Sequence, residues 1–166
     1  MSVNAKNFRE LIVRAALSTV TIRSGNWTVN LWSPAAEELL MLTAAQESHL
    51  GEFLRQGWRT LDDGLGVGLG AYSMEPATHA DIWQFIAERS FIGLPWMWQQ
   101  SDDTLVYNLR YATVMARLKY LQAKPKLPAA TDVQGMAEYW DEFYNGNPNT
   151  GFPAQAVDNY KKYVST

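Results

Sequence analysis

The sequence predicts a mainly α protein of the α+β class, a helical bundle around a central helix with a small glycine-rich β-hairpin. Two observations lead to this prediction. From about Asp103 to Gln122, apolar residues cover most of the circumference of a helix, as expected for one that is buried on all sides. Glycine stands at every second position from Gly64 to Gly70, which favours a strand with one bare face that a backbone or a ligand can approach. This hairpin is either the wall of a cleft or a segment without a ligand.

Length and composition predict one domain. The chain has 166 residues, 47% of them hydrophobic, which suffices for a single core over residues 1–166. Residues 1–32 are expected to form a docking helix and a connector, and residues 33–166 the main body. The net charge of -3, without a run of basic residues, argues against a nucleic-acid partner. No apolar segment reaches the roughly 20 residues that a membrane span requires, so no span is expected.

Several kinds of chemistry are excluded or disfavoured. The chain has no cysteine, which excludes disulfides and thiol catalysis. His49 and His79 are too far apart in sequence for a metal-ligand motif, and no phosphate-binding glycine motif is present. We therefore expect neither a metal nor a cofactor. The aromatic content of 13% suits sugar-stacking subsites, but core packing accounts for these residues equally well.

The first half of the chain predicts a helix, a turn and a second helix. The first helix, at about 5–20, has an apolar side formed by Phe8, Leu11, Ile12, Ala15 and Ala16. Ser24-Gly25-Asn26 marks a turn, followed by WTVNLW, whose strand-like alternation is too short to build a sheet of its own. Ser33 as N-cap and Pro34 at the first position begin the second helix, and Glu37 and Glu38 lie near the positive end of its dipole. Gly51 is expected to end it.

The second half of the chain predicts four more helices. Thr78 and Asp81 resemble a capping box that begins a helix through about Arg89, with Ile82, Phe85 and Ile86 buried. The central helix then presents apolar rows that include Tyr107 and Tyr111. DVQGMAEYWDEFYN predicts a helix with Met136, Ala137, Trp140 and Tyr144 on one face, and Asn145-Gly146 ends it. Pro153 begins the last helix, with Ala156, Val157, Tyr160 and Val164 inward.

One acidic residue lies where an ordinary surface acid would not. In the second helix, Glu47 continues the apolar face formed by Ala36, Leu39, Leu40 and Thr43 at helical spacing. A carboxylate removed from water without a partner tends to take up a proton, so its pKa is expected to rise toward the value that a general acid needs. The alternative is a glutamate at the helix end whose carboxylate reaches solvent.

Four segments, in this order, resemble the soluble lytic transglycosylase and goose-type lysozyme superfamily in its divergent bacteriophage form. They are LLMLTAAQESHLG, GLGAYSMEPATHADIW, NLRYATVMARLKYL and EYWDEFYNGNPNTG, and the resemblance covers about residues 33–165. It implies a lysozyme-like fold with residues 33–166 as the catalytic core. In this superfamily a Glu-Ser pair at a helix end supplies the catalytic acid, and a Gly-Leu-Met/Tyr-Gln segment forms a cleft wall beside it.

The resemblance assigns roles to residues of this chain. It makes Glu47 the catalytic residue and implies that substrate is contacted by the neighbouring Ser48, by the cleft wall, by the start of the central helix and by a Tyr-Asn element that reaches back to Glu47. The implied substrate-binding residues are Ser48, Tyr72, Ser73, Met74, Glu75, Asn108, Tyr144 and Asn145. Ser73 departs from the pattern, because the superfamily usually has glutamine there, and a short hydroxyl alters the grip on substrate.

The implied reaction is cleavage of the β-1,4 bond between N-acetylmuramic acid and N-acetylglucosamine in peptidoglycan, with Glu47 protonating the leaving oxygen. A retaining glycosidase needs a second carboxylate about 5 Å from the first as nucleophile. No second acid matches, so the resemblance implies attack by the C6 hydroxyl of the muramic acid itself. Glu75, Asp62 and Asp63 flank the predicted cleft wall and could overturn this mechanism; Glu75 also suits a helix N-terminus.

The implied partners are peptidoglycan strands and other virion proteins of a tail or baseplate. The protein would be found in a phage virion or in the host cytoplasm where it is made, and would act on the bacterial cell wall. Two alternatives stay open: a structural virion component that keeps the fold without turnover, and a module that binds glycan without cutting it.

Overall fold

The structure is a computed structural model that describes residues 4–54, 68–96, 98–146 and 152–165. It is mainly helical with one small antiparallel sheet, which confirms the predicted mainly α class. None of the helices in these ranges is long and apolar enough to cross a membrane. In chain order the elements are α1 (Ala5–Asn7), π1 (Phe8–Arg14), α2 (Ala15–Ser18), β1 (Thr21–Ser24), β2 (Trp27–Asn30), α3 (Pro34–Ser48), α4 (Pro76–Glu88), α5 (Thr104–Tyr107), α6 (Leu109–Leu121), α7 (Val133–Trp140), π2 (Asp141–Asn145) and α8 (Phe152–Tyr163).

The N-terminal helix packs against α3 and α6, as expected for a docking helix, and its buried face keeps the predicted Phe8 and Ala16 and adds Val13 and Leu17. Phe8, Val13 and Leu17 are fully buried, whereas Leu11 is 58% exposed. The prediction for Leu11 is therefore wrong. In the π-helical segment π1 each turn holds more residues than an α-helical turn, so the buried positions Phe8 and Val13 are five residues apart.

The sheet of the described residues lies in the N-terminal third, where only strand-like alternation was noted. Strands β1 and β2 pair antiparallel from Thr21–Asn30 to Ser24–Trp27 around a turn at Gly25, whose φ of 56° is easily reached without a side chain. The predicted glycine-rich hairpin lies mostly outside the described residues, which begin again at 68. The part that is described forms a turn, closed by reciprocal hydrogen bonds of 2.9 and 3.0 Å between Leu69 and Met74.

Helix α3 begins as predicted and ends earlier than predicted. The Ser33 hydroxyl accepts a hydrogen bond from the Ala36 amide at 3.1 Å, and Pro34 occupies the first turn. The last helical residue is Ser48, not a residue next to Gly51. His49 and Leu50 already have left-handed φ values of 52° and 60°, which residues other than glycine rarely adopt and which do not continue an α-helix. The helix thus ends one residue after Glu47.

Helix α6 is the central helix, and α5 is separated from it. Asn108 interrupts the predicted continuous helix, because its side chain accepts from the Tyr111 amide at 3.0 Å and begins α6 anew. Tyr111 is fully buried, as predicted, but Tyr107 in α5 is 71% exposed. Nearly every residue from 111 to 120 is buried, which confirms the central position of this helix.

Helix α4 begins earlier than predicted. Pro76 is its first residue and Glu75 its N-cap, so Thr78 lies inside the first turn and the proposed capping box is wrong. The proline decides the start, since its fixed φ suits the first helical position and its missing N–H costs nothing there.

The C-terminal elements complete the core. Helices α7 and α8 pack against each other and against α3, and Gly146, with a φ of 69°, ends π2 as predicted. Met136, Ala137 and Trp140 of α7 and Ala156 of α8 are buried in the same hydrophobic cluster as α3 and α6. One core therefore joins the helix that carries Glu47 to the helix that carries Trp140.

Candidate active site

Glu47 lies in the last turn of α3, and its side chain is partly buried. Its Oε1 accepts a hydrogen bond of 3.0 Å from the indole Nε1 of Trp140, which α7 brings from 93 residues downstream. Trp140 is itself only 2% exposed, so the donor is fixed by packing. The carboxyl group is thereby held in one orientation by a neutral donor.

The electrostatic surroundings of Glu47 favour its protonated form. Burial raises the pKa of the Glu47 carboxyl to about 7, against the smaller lowering effects of the Trp140 indole and the Ser73 hydroxyl. A position near the C-terminus of α3 works in the same direction as burial, because the helix dipole is negative there. The rise in pKa expected from the helical phase of Glu47 is confirmed. Near neutral pH this carboxyl group can both donate and accept a proton.

A pocket of about 230 Å³ opens beside Glu47. Six of the nine residues that the sequence proposed as a site meet there, from α3, from the turn before α4 and from π2, and α6 adds Lys119. In the described part of the chain its lining consists of Glu47, Ser73, Met74, Glu75, Thr78, Lys119, Tyr144 and Asn145. The wall is predominantly polar, which suits a ligand rich in hydroxyl and amide groups.

The turn between Leu69 and Met74 forms one wall of this pocket, and close backbone contacts fix it. A Cβ atom on Gly70 would lie 2.0 Å from the carbonyl oxygen of Leu105, so only glycine fits there. The bare glycine face predicted from the sequence is thus approached by another backbone at this residue. Ser73 has a left-handed φ of 44°, and its hydroxyl donates to the main-chain carbonyl of Glu47 at 3.1 Å. The wall is therefore tied to the catalytic candidate itself.

Three of the proposed substrate contacts lie elsewhere and have structural roles. The Ser48 side chain is buried and donates to the Ala71 carbonyl at 2.6 Å, joining the end of α3 to the turn. The Tyr72 ring is fully buried with its hydroxyl 3.0 Å from the Thr113 hydroxyl. Asn108 caps α6. None of the three side chains lines the pocket. Each instead makes a hydrogen bond within the protein that positions the cleft wall or the central helix.

Tyr144 reaches the pocket, but its hydrogen bond differs from the one expected. The hydroxyl donates to the main-chain carbonyl of Tyr72 at 2.8 Å, not to the Glu47 carboxylate. A phenol has a single proton, so the two bonds exclude each other. Burial, and next to it the charge of Glu47, raises the pKa of the Tyr144 phenol well above its usual value. Tyr144 stays neutral beside Glu47 and holds the turn in place. Its neighbour Asn145 also lines the pocket and donates to the Asp141 carboxylate at 2.9 Å.

Sequence reasoning missed Trp140, Thr78 and Lys119 as members of the site. Trp140 was assigned to the inward face of its helix, one turn before Tyr144, and an indole N–H on that face needs an acceptor once it is buried. That requirement was the available signal. Thr78 and Lys119 carried none, because a hydroxyl in a first turn and a lysine in a last turn are common at helix surfaces.

A second carboxylate matters for the reaction, and Glu75 is the only other one lining the pocket within the described ranges. It is exposed, and although it occupies the N-cap position of α4, its side chain makes no capping hydrogen bond. The carboxylate is therefore available to a ligand. Asp62 and Asp63, the other two candidates, lie outside the described residues.

No group of three or more histidine, aspartate or glutamate side chains in the described ranges is placed to hold a metal ion. Comparisons with protein-family models, with curated proteins and with solved structures gave no match.

Proposed function

We propose that the chain is a peptidoglycan-cleaving glycosidase with a lysozyme-like fold, a muramidase or lytic transglycosylase of a bacteriophage, in which Glu47 is the single acid–base residue. The observation that carries the proposal is the Glu47 carboxyl group, which burial brings to a pKa of about 7 at the edge of a polar pocket. The resemblance of four sequence segments to the lytic transglycosylase and goose-type lysozyme superfamily selects the same residue.

In the first step the protonated Glu47 gives its proton to the oxygen of the scissile β-1,4 bond, and the bond to the anomeric carbon breaks. The Trp140 indole holds Oε1, and it accepts no proton itself, so it orients the carboxyl without competing for the proton. As the carboxyl becomes a carboxylate, the same N–H stabilises the negative charge that develops.

In the second step a hydroxyl group attacks the anomeric carbon and passes its proton to the Glu47 carboxylate. If the attacking group is the C6 hydroxyl of the same sugar, the product is a 1,6-anhydro sugar and no water is consumed. This route needs no second carboxylate. If Glu75 activates a water molecule, the product is a reducing sugar, and glycosidases of that kind place their carboxylates roughly 6.5–9.5 Å apart.

Purified wild type, Glu47→Gln and Glu75→Gln should be compared on cell-wall zymograms and on isolated glycan strands, with the products separated by mass. We expect Glu47→Gln to lose about 10²–10⁴-fold in turnover, the usual contribution of a general acid–base residue. Glu75→Gln removes the other pocket carboxylate of the described residues with the same loss of charge, so it tests whether that carboxylate also takes part in the reaction. Full activity of Glu47→Gln would disprove the assignment.

The products also decide between the two routes. Anhydro products with an active Glu75→Gln variant support the single-acid mechanism, whereas reducing products and an inactive Glu75→Gln variant support hydrolysis. Binding of glycan without any cleavage by the wild type would favour the alternative of a glycan-binding module or an inactive virion component.

A further inference from the structure

A second cavity, of about 460 Å³, shares no lining residue with the Glu47 pocket in the part of the chain that the structure describes. It lies between the β1–β2 hairpin and the C-terminal ends of α4 and α6. We call it the hairpin pocket, and the residues that matter for its chemistry are Ser24, Trp27, Phe85, Arg89, Phe91 and Gln122.

Three aromatic rings build one side of the hairpin pocket. Trp27 stacks on Phe91 with 5.6 Å between the ring centroids and an interplanar angle of 24°, and Phe85 meets Phe91 edge-on at 5.3 Å. Although one face of the indole is covered in this way, Trp27 remains 46% exposed. The cluster holds a flat apolar ring rigidly at the cavity, which is how proteins present a stacking surface to the C–H face of a sugar.

Two planar polar groups face the same cavity. The Arg89 guanidinium lies 5.7 Å from the Phe85 ring centroid, and no carboxylate in the described part of the chain forms an ion pair with it. The Gln122 side-chain amide likewise makes no hydrogen bond within those residues. Guanidinium and amide groups offer paired donors in a fork, and the amide adds an acceptor, which matches neighbouring hydroxyl groups or an acetamido group.

We propose that the hairpin pocket is a second carbohydrate-binding site that holds an N-acetylhexosamine unit. Its ring stacks on Trp27, and its polar substituents bind Arg89 and Gln122. The inference rests on the proposed function only for the identity of the polymer, a peptidoglycan strand. The site would keep the enzyme on an insoluble wall while the Glu47 pocket releases and rebinds individual strands, so it would act on binding to the polymer and not on bond cleavage.

The test compares Trp27→Ala with Trp98→Ala, in wild-type and Glu47→Gln backgrounds. Trp98 is a matched control, because it is 68% exposed and does not line the hairpin pocket. Sedimentation with insoluble peptidoglycan measures binding, and release of products from short soluble glycan fragments measures cleavage. We expect Trp27→Ala to bind about three- to tenfold more weakly in both backgrounds, and in the wild-type background to cleave short fragments within about twofold of its parent. Trp98→Ala should bind like its parent.

Equal binding by the Trp27→Ala variant and its parent, an equal loss in Trp98→Ala, or no sedimentation of the parent protein would each overturn the second site. Trp27-dependent binding by a wild type that cleaves nothing would overturn the proposed function and leave the second site intact. Circular dichroism monitors folding of the variants. A second measurement is the shift of the Trp27 indole N–H resonance on titration with chitotriose. It is made with the wild type and with Arg89→Gln. No shift of that resonance would contradict the proposal even if Trp27→Ala proved unstable.

Discussion

The pKa values of two glutamates at opposite ends of α3 are shifted in opposite directions. Each accepts a hydrogen bond from an indole, Glu37 from Trp32 at 2.7 Å and Glu47 from Trp140 at 3.0 Å. Burial raises the pKa of both, but for Glu37 the hydrogen bonds from Arg14, Trp32 and Arg9 outweigh burial and its pKa is lowered. Glu47 has no cationic partner among the described residues, and its pKa rises to about 7.

Helix position adds to this difference. Glu37 lies in the first turn of α3, where the dipole favours a negative charge, and Glu47 lies in the last turn, where it does not. The Arg14 guanidinium forms two hydrogen bonds to Glu37, at 2.8 and 2.6 Å, and Arg9 bridges Glu37 and Glu38. At this end of α3 the carboxylate charges are paired with arginines of the N-terminal helix, and these ion pairs attach that helix to α3. At the other end, Glu47 has no ionic partner in the described part of the chain, so it can take part in proton transfer.

The largest expected effect is on stability at the Glu37 end. Glu37→Gln should lower the free energy of unfolding at neutral pH by about 2–3 kcal/mol, because a buried amide cannot replace the charge-assisted hydrogen bonds that the carboxylate accepts from Arg14 and Arg9. The lowered pKa of Glu37 means that its contribution is present above the unfolded value of 4.5 and is lost as pH falls through the folded value. Urea unfolding should therefore show a difference from wild type that shrinks in acid. A constant difference at every pH would contradict this reading.

Glu47→Gln should raise the free energy of unfolding by about 2 kcal/mol at about pH 8.5. Because the folded pKa of about 7 is above the unfolded value of 4.5, ionisation of Glu47 opposes folding. The free energy of unfolding of the wild type therefore decreases as pH rises from 4.5 through 7. The glutamine variant does not show this decrease, because glutamine does not ionise. Denaturation at about pH 4 and about pH 8.5 should show equal stabilities at the first pH and a more stable variant at the second. A variant that is less stable at the higher pH would show that the carboxylate has a favourable partner.

The indole donor of Glu47 can be removed while an aromatic ring is kept at the same position. Trp140→Phe should raise the pKa of Glu47 further, since the Trp140 hydrogen bond lowers it. The basic limb of the pH–rate profile should consequently move to higher pH, and turnover should fall by about tenfold because the carboxyl loses its fixed orientation. Trp32→Phe at the other glutamate is the matched control and should leave the profile unchanged. A basic limb at lower pH would contradict the assigned role.

The smallest effect is expected for Tyr144→Phe. The change removes the hydrogen bond to the Tyr72 carbonyl and keeps the ring, so the free energy of unfolding should fall by about 1 kcal/mol. Turnover should fall severalfold through a looser cleft wall, without a shift of the pH profile, because the hydroxyl does not bond to Glu47. A shifted profile would show that the phenol contacts the carboxylate during the reaction.

Local rules account for what the sequence determined by itself. The spacing of apolar residues predicted that α6 is central and that Glu47 lies on the inward face of α3, since helical periodicity alone decides which side chains share a face. Ser33 and Pro34 predicted the start of α3, and Asn145-Gly146 the end of π2, because caps and turns depend on a few neighbouring residues. At Gly70 another backbone approaches closely, which is one of the two possibilities that the alternating glycines left open.

Tertiary structure decided the features that depend on distant residues. The wide turns of π1 exposed Leu11 and buried Val13, and no short-range pattern signalled this. Whether a buried glutamate is charged depends on which donors the fold brings to it: Arg9, Arg14 and Trp32 for Glu37, and only the distant indole of Trp140 together with Ser73 for Glu47. The sequence placed Glu37 near the N-terminus of the helix and Glu47 on its apolar face, but it did not reveal the partners of either carboxylate. Their different acidities arise because electrostatic interactions act through space between residues that the sequence places far apart.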